Sequence, residues 1–222
     1  MLKRKLNTGD WFLILANLLP LYGVWFEGWD PRQMFIVYCL ETIIIGIYNV
    51  IKMMIVTFYK KTDVWQTSGS NLTYVRGWFF ILFFICHYGF FVFVQTGIFA
   101  SVSNLSANED FGSFSFLGRA FSYLTMDAKI VLYVFILMYG IRMVVEFILS
   151  GKYRQTSLGL LMFQPYLRIF IQQFVVILGS IFLAFGAGKI FMFIFVAVKI
   201  YAEVFINFDT YLNKTQKMQG LK

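Results

Sequence analysis

Ionisable and amide side chains stand inside long apolar runs of this sequence, and their spacing is the first clue to chemistry. One run carries Glu41, Asn49 and Lys52, and a second carries His87 and Gln95. A third has Arg142 and Glu146, a fourth Arg168, Gln172 and Gln173, and a fifth Lys199, Glu203 and Asn207. If the runs cross a bilayer, each ionisable group costs roughly 2.5–3.5 kcal/mol to insert. Such groups face the bundle interior and pair there, and they mark ion paths, proton relays or ligand sites. Glu41, Tyr48 and Lys52 share one helix face by their spacing. Arg142 and Glu146 stand one helical turn apart and meet. Lys199, Glu203 and Asn207 step down a single face. The cations Lys52, Arg142, Arg168 and Lys199 nearly balance the anions Glu41, Glu146 and Glu203. That balance points to paired networks rather than a charged funnel.

Each group also has a structural reading. Arg142–Glu146 reads as an intrahelical pair near the interface, since arginine can snorkel. Gln172 and Gln173 read as interhelical hydrogen-bond glue. His87 is the sole histidine, and it is either a packing residue or a proton relay. By depth it is the nearest partner for Glu41, with Lys199 next. No HExxH, GxSxG or Walker pattern is present, and one histidine offers too few ligands for a metal enzyme. Lys199 could in principle hold a Schiff base. A count of six helices, rather than the seven of retinal proteins, argues against it. Cys39 and Cys86 lie in apolar segments and read as buried thiols. No catalytic, cofactor-binding or metal residue is assigned, and no cofactor is expected.

The elements that must position these groups follow from composition. Of 222 residues, 59% are hydrophobic and 14% charged, and 28 are Phe. The mean hydropathy is +0.72. A soluble domain carries about 25% charged residues, and its core could not hide this many apolar side chains. Crossing the hydrocarbon takes about 20 mostly apolar residues. Six stretches qualify, at about 11–26, 34–58, 78–100, 128–149, 165–185 and 189–208, with Pro165 read at the start of the fifth. The fold class is all-α, a polytopic transmembrane helix bundle in one domain over 1–222. Strands are not expected, because the runs are continuous rather than alternating.

The net charge of +8 belongs to topology rather than to nucleic acid. Lys3, Arg4, Lys5, Lys60, Lys61, Arg76, Lys152, Arg154, Lys214, Lys217 and Lys222 fall on one side. The opposite loops carry Arg32, Arg119 and Lys189. The positive-inside rule then places both termini in the cytoplasm. The first apolar run follows Lys3-Arg4-Lys5 without a small-residue cleavage site, so it reads as an uncleaved helix. The outer loop, about 101–127, holds Glu109, Asp110, Phe111, Phe114, Phe116 and Phe121. It reads as a segment lying on the bilayer surface or packed on the helix ends. Close helix approach is expected at Ser180, Ala184 and Gly188, and at Gly89 and Gly97.

The run from Glu41 through Gly46 and Asn49 to Lys52-Met53, with His87-Tyr88-Gly89 and Arg168-Ile169, resembles an uncharacterised family. Its members are small bacterial and archaeal integral membrane proteins with one domain of unknown function. The likeness spans nearly the whole chain. It implies histidines near positions that are Gln95, Gln173 and Asn207 here, so a multi-histidine metal or proton site would be replaced by amides.

The leading expectation is a small transporter or channel of the inner membrane, with Glu41, His87 and Lys199 lining a wet cavity. The alternative is a non-catalytic scaffold or subunit whose polar network fixes helix packing. The partners implied are the lipid bilayer and, as protein, a second copy or a membrane complex.

Overall fold

The computed structural model describes residues 8–68, 71–102 and 113–202. For residues 8, 65–68, 71–72, 99–102, 113–117, 167, 168, 171, 172, 174–177, 180, 183 and 184 it describes the backbone alone. Helices dominate. Helix α1 (Thr8–Phe26) has Asp10 in its first turn, favourable at a helix N-terminus, and Pro20 inside it. Helix α2 (Pro31–Lys60) starts where Asp30 accepts from the Arg32 N–H at 2.9 Å and Pro31 occupies the first turn. Helix α3 is Gly77–Val102, α4 Ser113–Tyr123, and α5 Met126–Met143, capped by Thr125. A wider π turn, Val144–Leu149, extends α5, and a short 3-10 turn follows at Lys152–Arg154. Helix α6 is Leu158–Ala184 and α7 is Gly188–Ile200.

Among the described residues, four helical stretches are long and apolar enough to cross a membrane: Gly9–Phe26, Pro31–Lys60, Gly77–Ile98 and Met126–Leu149. Their outward faces are apolar too, with Phe12, Leu15, Leu82, Phe90, Leu137 and Leu149 exposed. Helix α2 is the most buried of the four. It packs against α3, α5, α6 and α7, while α1 packs on α5 and α7.

Two expectations are corrected. The segment between α2 and α3 is not strand-free: β1 (Thr62–Ser68) and β2 (Asn71–Arg76) pair antiparallel, with Thr62 opposite Arg76. A polar connection of this length satisfies its own backbone groups as a hairpin. The second correction concerns Pro165. It lies inside α6, which begins at Leu158, so the helix is longer than its apolar core. Asp63 favours that start, because its Oδ2 accepts from the Leu158 N–H at 2.6 Å.

Part of the segment 101–127, expected as a loop, is helical. Helix α4 places Ala120 in the bundle core, followed by Leu124, while Phe121 stays exposed. Glu109, Asp110 and Phe111 lie outside the described residues, as do Glu203, Asn207 and the basic residues Lys214, Lys217 and Lys222.

Candidate functional site

Four helices converge on one buried charge pair. Glu41 of α2 is fully buried, Lys199 of α7 nearly so, and Asn17 of α1 fully. The Lys199 ammonium donates to Glu41 Oε2 and, at 2.7 Å, to Asn17 Oδ1. The Tyr139 hydroxyl of α5 donates to Glu41 Oε1 at 2.7 Å. Asn17 Nδ2 donates to the Leu13 carbonyl of its own helix at 2.9 Å. Aromatic faces close around the cation, whose Nζ lies 4.5 Å from the Tyr38 ring centre and 4.8 Å from that of Phe135. The quadrupoles of those rings attract it.

Local sequence explains the convergence. Tyr38 precedes Glu41 by one turn on α2, as Phe135 precedes Tyr139 on α5 and Phe195 precedes Lys199 on α7. Residues at this spacing share a face. Each helix thus presents an aromatic ring and, next to it, a polar head. The rings pack together, with Tyr38 4.4 Å from Phe195 and 5.8 Å from Phe135. Desolvating two charges costs several kcal/mol per ion, and good geometry with further hydrogen bonds must offset it. Tyr139 and Asn17 supply those bonds.

Below this centre, α2 is tied to its other neighbours. Pro165 has no N–H to give the Leu161 carbonyl four residues earlier. Asn49 Nδ2 donates to that same carbonyl at 2.9 Å. A side chain of α2 thus replaces the helix bond that proline removes from α6, which is how interior prolines are tolerated away from water. A second device occurs twice. Tyr88 of α3 lies over Gly46, and its hydroxyl reaches the Thr42 carbonyl at 2.7 Å. Tyr48 of α2 lies over Gly140 and reaches the Ile136 carbonyl at 2.9 Å. A Cβ added at Gly46 would sit 2.5 Å from the Tyr88 ring, and one at Gly140 2.9 Å from the Tyr48 hydroxyl. Each glycine opens a gap through which a phenol contacts the backbone of the next helix.

The remaining candidates fall into separate places. His87 is exposed on α3 and shares a 2.7 Å hydrogen bond with the Tyr166 hydroxyl of α6, so it is not a partner of Glu41. Depth alone suggested that pairing, but depth does not fix the side of the helix. Arg142 and Glu146 form the intrahelical pair their spacing implies, at 3.3 Å. Lys52 lies 5.7 Å from the Phe147 ring centre. Gln173 donates to the Phe91 carbonyl at 3.0 Å, while Gln95 is buried on α3. The side chains of Arg168, Gln172, Ser180 and Ala184 lie outside the described residues. Gly89 has open space around it, whereas Gly179 abuts Phe35 and Phe191.

Sequence reasoning missed Asn17 and Tyr139. Asn17 carried a signal, as an amide amid the apolar residues of α1. Tyr139 carried none, because one tyrosine in an aromatic-rich helix looks like any other.

A family model described as a family of unknown function, DUF6498, matches residues 1–220. No curated protein and no solved structure matches the chain.

Proposed function

We propose, for a chain that belongs to the DUF6498 family of unknown function, a non-catalytic role as a scaffold or subunit in the inner membrane. On this reading α1, α2, α3, α5 and α6 cross the bilayer, as does the apolar run 189–208 that α7 opens. Helix α4, at 11 residues, is too short to cross and lies at the outer surface. The basic residues beside Lys3, Lys60 and Lys152 favour both termini in the cytoplasm. The protein partner is a second copy or another membrane subunit seated on the apolar exterior.

The observation that carries this reading is the saturation of Glu41. It is fully buried, and its two oxygens are engaged by Tyr139 and Lys199 from two other helices. A site that exchanges ions between the two sides binds them in a cavity at a helix interface. Here the charges are enclosed by rings, which suits a lock that fixes how the helices sit.

A second reading, proton-coupled transport, has one observation in its favour. Tyr139, Glu41, Lys199 and Asn17 form a continuous hydrogen-bonded chain across four helices, and one proton passing from Nζ to Oε2 would leave both groups neutral.

Proteoliposomes loaded with a pH-sensitive dye separate the two. Under an imposed potassium-diffusion potential, the scaffold reading expects wild type and Glu41→Gln to acidify no faster than empty vesicles. Proton uptake by wild type that Glu41→Gln abolishes, while its melting temperature is kept, would replace the lock with a relay.

A further inference from the structure

The end of the bundle where α2 stops and α3 and α6 start gathers cations from two separate segments. Lys60 and Lys61 end α2, and Arg76 is brought beside them by the hairpin. Thr62 pairs with Arg76, and the Gly77 N–H donates to the Lys61 carbonyl at 2.9 Å. The turn carrying Lys152 and Arg154 docks on the same end. Lys60 Nζ donates to the Thr156 carbonyl at 2.9 Å, and the Tyr59 and Tyr153 rings meet edge to face at 5.6 Å. Arg154 folds over Tyr153, donating to its hydroxyl at 3.1 Å.

Among the described residues, the carboxylates next to the cluster, Asp63 and Glu146, have other partners. Asp63 accepts from the Leu158 and Val64 N–H groups, and Glu146 pairs with Arg142. Lys61, Arg76, Lys152 and Arg154 are all exposed.

A second observation sets the depth of the cluster. Phe58, Tyr59 and Trp78 are exposed at 71%, 56% and 52%, directly before Lys60 and directly after Gly77. Phe58 and Trp78 meet edge to face at 5.8 Å. Exposed tryptophan and tyrosine at the ends of apolar helices mark the level of lipid headgroups. The cations therefore stand where headgroup phosphates lie.

We propose that this basic cluster is a docking surface for the headgroup of an anionic phospholipid. The inference rests on the membrane reading above and on charge complementarity at the aromatic boundary. Basic clusters between helices at a membrane face hold anionic headgroups, and each cation near such a surface contributes about a five-fold gain in affinity.

The test uses the full chain in detergent micelles doped with phosphatidylglycerol or, separately, phosphatidylcholine, with bound lipids counted by native mass spectrometry. Phosphatidylglycerol is expected to bind in preference. Lys61→Gln/Arg154→Gln is expected to weaken it about 25-fold. Lys61→Arg/Arg154→Lys should restore binding. Both positions are exposed, and an unchanged melting temperature in phosphatidylcholine micelles would show that the fold is kept. Equal binding of the two lipids, undiminished binding by the glutamine variant, or displacement of the lipid by millimolar inorganic phosphate would each overturn the proposal. Failure of the membrane reading is distinct, since the chain would then stay in solution without detergent.

Discussion

Removing Asn49 tests whether its amide stands in for the bond that Pro165 deletes. In Asn49→Leu, a side chain of similar size leaves the Leu161 carbonyl without the donor now at 2.9 Å. A buried carbonyl left unsatisfied costs about 1–3 kcal/mol. Pro165→Ala returns an N–H to that carbonyl from within α6. It also relieves the interior-proline penalty of about 3 kcal/mol, but that relief is common to both backgrounds and cancels in a double-mutant cycle. What remains is the carbonyl itself. Asn49→Leu should therefore cost at least about 1 kcal/mol more with proline at 165 than with alanine. Interhelical hydrogen bonds in membranes average about 0.6 kcal/mol in such cycles, so the expected coupling exceeds that of ordinary glue. The four proteins can be compared by equilibrium unfolding on titration of sodium dodecyl sulfate into mixed micelles. Additivity within about 0.5 kcal/mol would refute the reasoning, since Asn49 would then be no more than a helix contact.

Lys199→Met should destabilise by about 3–5 kcal/mol, because it strands a buried carboxylate. Adding Glu41→Leu should recover most of that loss in the same titration, and a double variant weaker than Lys199→Met would contradict the lock. Gly46→Leu and Gly140→Leu should lower folded yield sharply by driving Tyr88 and Tyr48 away, whereas Gly89→Leu, with open space around it, should be near wild type in size-exclusion profiles. A reporter active only in the cytoplasm should work after Lys222 and be silent near Asn108, and the reverse pattern would invert the topology.

Much of the bundle is legible in the sequence, because a run of apolar residues long enough to cross a bilayer is a strong signal. The apolar cores of α1, α2, α3 and α5 follow from that alone. The hairpin between β1 and β2 does not announce itself among such runs, although Ser68-Gly69-Ser70-Asn71 is turn chemistry between two short segments rich in Thr, Val, Trp and Tyr.

Within α2 and α5, spacing was also sufficient. Glu41, Tyr48 and Lys52 share a face, and that face meets α5 through Tyr139, Ile136 and Phe147. Arg142 and Glu146 pair as their separation dictates. What the sequence could not settle is which face of one helix meets which face of another. Only the tertiary structure brought Lys199 rather than His87 to Glu41, added Asn17 and Tyr139, and set Asn49 against the carbonyl freed by Pro165. In water the apolar face of a helix points inward, so periodicity orients it. In lipid the interior and the exterior are both apolar, and a pattern such as that of α3, with Phe80 and Phe84 buried but Phe79 and Phe90 exposed, carries no hydrophobic contrast from which its orientation could be read.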